Sequence, residues 1–401
     1  MSKRKIQSQI EGYTEIQQEI EILRKYAIDR AAERGHVTQV INRLHPKVLN
    51  LRVSEIREET RSTTTVRLVS QDRYLPPFQA GQYINLFVDI NGVRTSRPYS
   101  ISSPPNQTGY YDITVRRVAD GFVSTYLLDE VKVGDIFQST SPSGQFYHNP
   151  IFHGEDLVFL AGGSGITPFM SMIREITDCD LNRRIHLIYG NRIINDIIFK
   201  GEIEKRSARH KNLTVHTAIS EPANGYKGLT GFISAELIKE LVENHDDKMF
   251  YVCGPEAMYT FVLAELEKLG IPGRQIRAEV FGPPADIKSQ PGWPEYVSLD
   301  DSFDVKIKGN TTIKAKAGEP LMNSLERAGI VVTASCRSGE CSLCRTKLIS
   351  GKVFHHNNVK LRKSDRAFDY IHPCMAYPLE DLEILIWEKN TNGLKLNHRN
   401  I

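Results

Sequence analysis

No apolar run in this 401-residue chain approaches the roughly 20 residues that a membrane-spanning helix needs. The beginning, Met1-Ser2-Lys3-Arg4-Lys5, is basic, but glutamates and glutamines interrupt the next stretch, so no secretory hydrophobic segment is present. A cytoplasmic location without membrane attachment is therefore expected. A large excess of one charge sign is missing too: a net charge of +3 implies no general affinity for nucleic acid or a membrane surface. Six cysteines are too few for a disulfide scaffold in a chain this long. Internal repeats and low-complexity segments are absent. What remains is a globular composition, 40% hydrophobic and 25% charged, at a length that calls for roughly two to three domains.

Ile6, Tyr13, Ile20 and Ala27 recur every seven residues, with Ile16 and Leu23 between them, on a charged background. This predicts one long amphipathic helix over residues 1–35, stopped by Gly35. A helix packed on the protein's own surface is the plainer reading; a helix for dimerisation or partner docking is the sharper one. From Leu49 to Phe146 the pattern turns to short alternating strands, such as Thr64–Leu68 and Tyr83–Val88, separated by turn residues at barrel-like intervals. From Asp156 onward, apolar runs (Leu157–Ala161, Ile185–Tyr189, Leu213–Ala218, Met249–Cys253) alternate with helical stretches, as in a doubly wound parallel sheet. A proline- and glycine-rich stretch from Gly282 to Pro294 reads as an interdomain linker. Strands over Phe303–Lys308 and Thr312–Ala317 and a helix over Pro320–Ala328 come next.

Four of the six cysteines fall in the last 70 residues. Cys336, Cys341 and Cys344 are spaced Cys-x4-Cys-x2-Cys, and Cys374 comes after 29 intervening residues. Four thiolates suit two sulfide-bridged irons, and this spacing is the plant-type [2Fe–2S] one. A structural zinc site is the alternative, but such sites usually pair two Cys-x2-Cys knuckles, and only one such pair exists here. Small residues, Ser338 and Gly339, suit a loop that must wrap three ligands tightly. The run Cys336–Cys344 and the later His372-Pro373-Cys374 resemble plant-type ferredoxin domains over residues 300–388. That family usually has glycine directly after the second cysteine, where this chain has Ser342; glycine tolerates positive φ and close approach.

Arg97-Pro98-Tyr99-Ser100-Ile101-Ser102-Ser103 ends a strand of the barrel-like region. Alone it reads equally well as a strand with a buried tyrosine. Gly121-Phe122-Val123-Ser124 succeeds another strand and opens a short helix with Ser124 as its predicted cap, where free amides can hold phosphate. An arginine, a stacking aromatic and a helix N-terminus are what a flavin nucleotide needs. The pair of motifs resembles the ferredoxin–NAD(P) reductase family over residues 49–281. The resemblance implies that Arg97 meets the flavin diphosphate, Tyr99 flanks the isoalloxazine, Ser100 sits near the flavin N5, and the Gly121–Ser124 element, Val123 included, holds phosphate. FMN-containing relatives carry Gly-Gly-Ser in place of this Gly-Phe-Val-Ser, so FAD is expected.

Leu157–Ala161 runs into Gly162-Gly163-Ser164-Gly165-Ile166-Thr167-Pro168, where Thr167 is predicted to cap a helix beginning at Pro168. The glycines permit close approach of a dinucleotide, although Gly-x-Gly-x-x-Pro alone is a weak signal. The resemblance implies that this turn, with Gly163 and Gly165, and the turn Cys253-Gly254-Pro255 line the nicotinamide crevice, with Cys253 near the reacting carbon. Phe281, in Glu279-Val280-Phe281, matches the family's domain-ending aromatic that approaches the flavin. After the strand Leu213–Ala218, Glu221 stands where NADPH-selective relatives place an arginine, so NADH is the expected donor.

The expected architecture is multidomain: an N-terminal helical extension (1–48), an antiparallel β-barrel flavin domain (49–150), an α/β doubly wound nicotinamide domain (151–281), a linker (282–299), an α+β ferredoxin-like β-grasp domain (300–390) and a tail (391–401). The expected activity is that of an oxidoreductase taking hydride from NADH and passing electrons through FAD and a [2Fe–2S] cluster to an acceptor protein such as an oxygenase component. A redox-sensing binding module, or a free-standing NADH oxidase or metal-ion reductase, are the alternatives. Between Arg337 and Arg366 lie eight basic residues against two acidic ones, which predicts an acceptor with an acidic docking face.

Overall fold

The computed structural model describes residues 12–26, 31–119, 121–279, 282–284, 286–357 and 359–386. It divides into two compact units, residues 1–47 and 48–401.

In the first unit, helix α1 spans Tyr13–Tyr26 and α2 spans Ala31–Leu44. The expected single helix is thus two, and α2 runs through Gly35 rather than ending there. A lone glycine weakens a helix by only about 1 kcal/mol relative to alanine, too little to stop one. No side chain of α1 is buried, and the stripe residues Ile16 and Leu23 stand exposed. Ile6 and Ala27 lie outside the described residues.

Among its described residues the second unit contains three large sheets and a two-stranded one. Strands β1 (Leu49–Thr60), β2 (Thr63–Ser70), β3 (Tyr83–Ile90), β4 (Val93–Ser100), β5 (Tyr111–Arg116) and β6 (Ile136–Ser139) form an antiparallel sheet in the order β4-β3-β6-β1-β2-β5. Alternate residues Leu49, Leu51 and Val53 are buried, as a two-residue side-chain period demands. A bridge between Ile101 and Ile113 joins the two edges, β4 and β5, and so closes the barrel. Helix α3 (Phe122–Asp129) buries Val123 and Leu127 against the same core.

Strands β7 (Asp156–Gly162), β8 (Arg184–Asn191), β9 (Leu213–Ile219), β10 (Leu229–Thr230), β11 (Met249–Cys253) and β12 (Ile276–Glu279) form an all-parallel sheet ordered β10-β9-β8-β7-β11-β12. Helices α4 (Ile166–Asp178), α5 (Lys200–Arg209), α6 (Ala235–Leu241) and α7 (Glu256–Lys268) connect its strands. Two separate cores bury its two faces, which is why β7 and β11 are apolar along their length rather than alternating. Chain order reverses between β7 and β11, and the crevice beyond their C-terminal ends is the site such sheets offer a ligand.

The third sheet is mixed, ordered β14-β13-β19-β15-β17, from β13 (Ser302–Ile307), β14 (Thr312–Lys316), β15 (Thr346–Ser350), β17 (Tyr370–Ile371) and β19 (Leu382–Leu385). A separate pair joins β16 (Val353–Phe354) to β18 (Tyr377–Pro378). Helix α8 (Leu321–Arg327) packs Leu321, Met322 and Leu325 into this sheet's core, and the short α9 (Lys363–Ala367) lies before β17. The proline-rich stretch is not a loose tether. Ile287, Trp293 and Val297 form a small core with Phe354 and Tyr377 of the third sheet's domain, the Trp293 and Phe354 rings meeting edge-on at 5.3 Å.

Candidate functional site

The four cysteines of the third domain come together in space as two pairs. Cys344 and Cys374 Sγ atoms lie 3.4 Å apart. Cys336 and Cys341 form the other pair: the Cys341 amide donates to Cys336 Sγ at 3.3 Å and the two thiols share a hydrogen bond. In each pair one thiol is pulled down and its partner pushed up, chiefly by that shared proton: Cys336 and Cys344 fall, Cys341 and Cys374 rise. Among the described residues no three His, Cys, Asp or Glu side chains are set to hold a single ion. Two thiol pairs fit two irons, each taking two thiolates.

The loop reaches this shape through three left-handed residues, Arg337 (φ 52°), Gly339 (φ 76°) and Ser342 (φ 56°). Ser342 therefore adopts the conformation for which glycine is ordinarily used, at a strain of roughly 1–3 kcal/mol. Its buried hydroxyl has no partner among the described residues. The wholly buried His372 braces the loop: its Nδ1 lies 3.0 Å from the Gly339 carbonyl, which accepts only from an N–H.

Arg97, Tyr99 and Ser100 occupy the end of β4. Arg97 Nη1 donates to Thr95 Oγ1 (2.8 Å) and the Ser96 carbonyl (2.7 Å), and Arg97 makes no ion pair among the described residues. Desolvation, then the neighbouring Arg337 charge, lower its guanidinium to about 10. A cavity of about 200 Å³ is lined by Arg97, Pro98, Met322, Asn323, Arg337 and Cys374, among others. Its wall thus combines a cation lacking a carboxylate partner with a cysteine of the thiol cage, and an anionic flavin tail fits the former. Desolvation raises the Tyr99 phenol, which stays neutral. The end of the motif is anchored across domains: Ser171 Oγ donates to the Ser103 carbonyl and Arg174 to the Ser102 carbonyl, each at 2.7 Å.

Gly121 is the cap of α3, and Ser124 lies inside its first turn, with Oγ accepting from the Val118 amide at 3.2 Å. The predicted serine cap is corrected accordingly. Phe122 supplies an earlier helical residue, so the turn begins sooner than the serine suggested. With no side chain capping it, the first-turn amides around Val123 remain open to a phosphate.

At the sheet's switch point a 3₁₀ turn over Gly163–Gly165 runs directly into α4, whose cap is Gly165. Thr167 is therefore not the cap and Pro168 not the first residue. Proline is tolerated there because early helical N–H groups have no intrahelical acceptor. Thr167 Oγ1 donates instead to the Ser164 carbonyl. A Cβ on Gly165 would fall on the Cys253 carbonyl and crowd Gly254, which is why the two turns can meet at all. Pro255 is the cap of α7. Cys253 is buried; desolvation, then Glu279, keep its thiol protonated by raising it well above the ordinary value. Glu279 is buried as well, with Oε2 unpartnered among the described residues, and desolvation followed by the Glu340 charge raises its carboxyl. Glu221 stands beyond β9, exposed, 3.8 Å from Arg192 Nε. Phe281 lies outside the described residues.

Matches to known families fall on each of the three large sheets: an oxidoreductase FAD-binding domain over residues 50–148, an oxidoreductase NAD-binding domain over 159–263 and a 2Fe-2S iron-sulfur cluster binding domain over 305–379. The NADH oxidoreductase HCR of Escherichia coli strain K12 is 30% identical over 336 residues, 83% of this chain and 96% of that protein. The chain belongs to the ferredoxin–NAD(P) reductase family, in the branch carrying a C-terminal [2Fe–2S] domain. This reductase is also 30% identical, over 352 residues, to the ferredoxin reductase component of 3-ketosteroid-9-alpha-monooxygenase of Mycobacterium tuberculosis strain H37Rv, covering 83% of this chain and 94% of that one. Its fold matches phthalate dioxygenase reductase, with a TM-score of 0.64 at 24% identity, over 84% of this chain and 98% of that one. The reductase is thus an oxidoreductase with FAD-, NAD- and [2Fe–2S]-binding domains, and no described helix is long and apolar enough to cross a membrane.

Sequence reasoning missed two participants in the reductase. Arg337 counts in sequence among the surface cations but is buried and ion-paired to Glu326, also buried. Arg116, at the end of β5, lies against Gly163 of the nicotinamide-domain turn. Both depend on contacts between domains, and nothing local in the chain signals them.

Proposed function

We propose that the reductase oxidises NADH and delivers electrons singly to an oxygenase component. The observation that carries this is the shared cavity, in which Arg97 of the flavin motif and Cys374 of the thiol cage line one wall. Bound flavin would convert a two-electron hydride into single electrons for the cluster, and the protein's task is to hold and orient the groups. Arg97 would neutralise the flavin diphosphate, aided by the open amides at Gly121, Val123 and Ser124. Tyr99 would flank the ring and Ser100 would face its N5. Gly163, Gly165, Thr167, Gly254 and Pro255 would shape the nicotinamide crevice, and neutral Cys253 would pack at its floor without repelling hydride. Cys336, Cys341, Cys344 and Cys374 would hold the irons. Among relatives of the reductase, the glycine betaine monooxygenase reductase subunit and the 3-ketosteroid-9-alpha-monooxygenase ferredoxin reductase component are by name parts of monooxygenases, and the partner of this chain would be met at the cluster. We place it in the cytoplasm. The N-terminal helices, with Ile16 and Leu23 exposed, suit dimerisation or partner docking.

Purified protein should contain one FAD and one [2Fe–2S] cluster per chain, read by acid release of flavin together with iron and sulfide analysis. FMN, or zinc without sulfide, would overturn the respective half.

NADH should be preferred over NADPH by about fivefold or more in kcat/KM, since like charges about 4 Å apart repel by roughly 1–4 kcal/mol between water-like and protein-surface dielectrics. Glu221 both repels a 2′-phosphate and occupies Arg192, the nearby cation that could receive one. Glu221→Ala should narrow the preference by releasing Arg192. Equal use of both nucleotides by the unaltered protein would refute the assignment.

A further inference from the structure

Where the third domain meets the barrel, the contact is polar and charged. Thr95 Oγ1 donates to Glu326 Oε2 at 2.8 Å and accepts from Arg97 Nη1 at 2.8 Å and Arg337 Nη2 at 3.2 Å. A hydroxyl has one proton and two lone pairs, so all three valences of Thr95 are used. Arg337 Nη2 also pairs with Glu326 Oε1 and reaches Ser96 Oγ at 3.4 Å. Both members of the ion pair are buried, with side chains 7% and 5% exposed. Around them Asn85 Nδ2 donates to the Ala334 carbonyl at 2.8 Å, and the Tyr83 and Ser335 hydroxyls lie 3.2 Å apart.

Three features set this apart from ordinary domain packing. A buried ion pair is generally no more stabilising than apolar residues of similar size, so its presence points to a demand for orientation. Arg337 holds a left-handed backbone, and it is this turn, directly after Cys336, that sends its side chain back into the barrel. The same junction reaches Arg97, and both arginines line the cavity that Cys374 also lines.

We propose that Thr95, Glu326 and Arg337 form an interdomain latch that positions the cluster loop against the flavin site, Glu326 and Arg337 acting as positioning residues for electron transfer between the two. The inference rests on the proposed passage of electrons from flavin to cluster. With both groups bound, the step it would serve moves one electron from reduced flavin to the cluster, where one ferric ion would become ferrous; the nicotinamide would supply the electron pair beforehand as hydride. Transfer between two fixed groups depends steeply on their separation and orientation, and small misplacements suffice to slow it. The latch holds that separation because its partners have fixed directions, whereas an apolar contact can slide.

Rapid mixing of NADH with the holoenzyme resolves flavin reduction from the later cluster reduction. Glu326→Gln should slow the second step by about tenfold or more while leaving the first unchanged. It leaves Arg337 without its countercharge, so its melting temperature should fall as well. The double variant Glu326→Met with Arg337→Met removes both charges and should recover the melting temperature, yet its flavin-to-cluster transfer should stay slow. In both variants, proteolytic cleavage of the full-length protein between residues 282 and 299 should be faster than in the unaltered protein. A double variant with the original transfer rate would reduce the pair to a stability element and overturn the proposal, as would unchanged cleavage. Failure of NADH to reduce the flavin of the unaltered protein would instead refute the functional reading, and cleavage would still test the latch.

Discussion

Cys341→Ser is expected to abolish electron delivery to the acceptor while leaving reduction of the flavin by NADH intact. The thiol belongs to the pair with Cys336. A serine oxygen is a harder and far less acidic ligand than a thiolate, poorly suited to an iron–sulfur centre. Iron and sulfide should be lost together, and the third domain should melt at a lower temperature because metal binding contributes to folding there. The barrel and the parallel sheet have cores apart from that of the third domain, so the flavin and nicotinamide sites should survive. Flavin bleaching by NADH in anaerobic solution, compared with reduction of the protein acceptor, provides the measurement. Acceptor reduction at the original rate in protein that has lost its iron would show that electrons leave from the flavin directly.

Reversing the charge of Arg362, Lys363 and Arg366 to glutamate should slow reduction of the protein acceptor by roughly 10- to 100-fold at low ionic strength, within the roughly 10- to 1000-fold by which electrostatic steering raises association rates. These three side chains are exposed and form no ion pair among the described residues. Three neighbours are already compensated: Lys360 lies 2.7 Å from Glu340, Lys347 3.3 Å from Asp369, and Arg345 3.5 Å from Asp365. Arg337 is turned inward. Leu343, between two cage cysteines, stands exposed as an apolar contact near the cluster, so an acceptor with an acidic rim around a small apolar patch would fit. Salt should shrink the defect as the Debye length falls below the separation of the charges. Reduction of a small neutral acceptor should not change. Indifference of acceptor reduction to both the substitutions and salt would eliminate this face.

The interval from the first strand to the cysteine cluster was largely legible because its signals are local. Cys-x4-Cys-x2-Cys sets three thiols on one loop whatever surrounds it. The apolar runs at Leu157–Ala161 and Met249–Cys253 declare strands buried on both faces. Helix starts were less legible. At Ser124 and Thr167 the sequence offers good capping side chains, but glycine takes the cap in both places. At the second, a 3₁₀ turn carries the chain into the helix sooner than local preference predicts. The N-terminal heptad misleads for a related reason: periodicity reports a helix with an apolar stripe, not its length, nor whether anything covers the stripe.

Residue spacing by itself marked a four-cysteine cage of the two-iron kind, and the resemblance carried by the motifs around Arg97, Gly121 and Gly163 set the expectation of flavin and nicotinamide sites before it. These are properties of short segments, whose chemistry is set by neighbours along the chain. Tertiary structure alone decided that Arg337 is an interior ion-pair partner of Glu326 rather than a surface cation. It also decided that Ser342 accepts a left-handed backbone, and that Arg97 and Cys374, 277 positions apart in the numbering, line one cavity. A charged side chain reads the same in sequence whether water or a carboxylate from another element solvates it, and only the packing of the elements distinguishes the two.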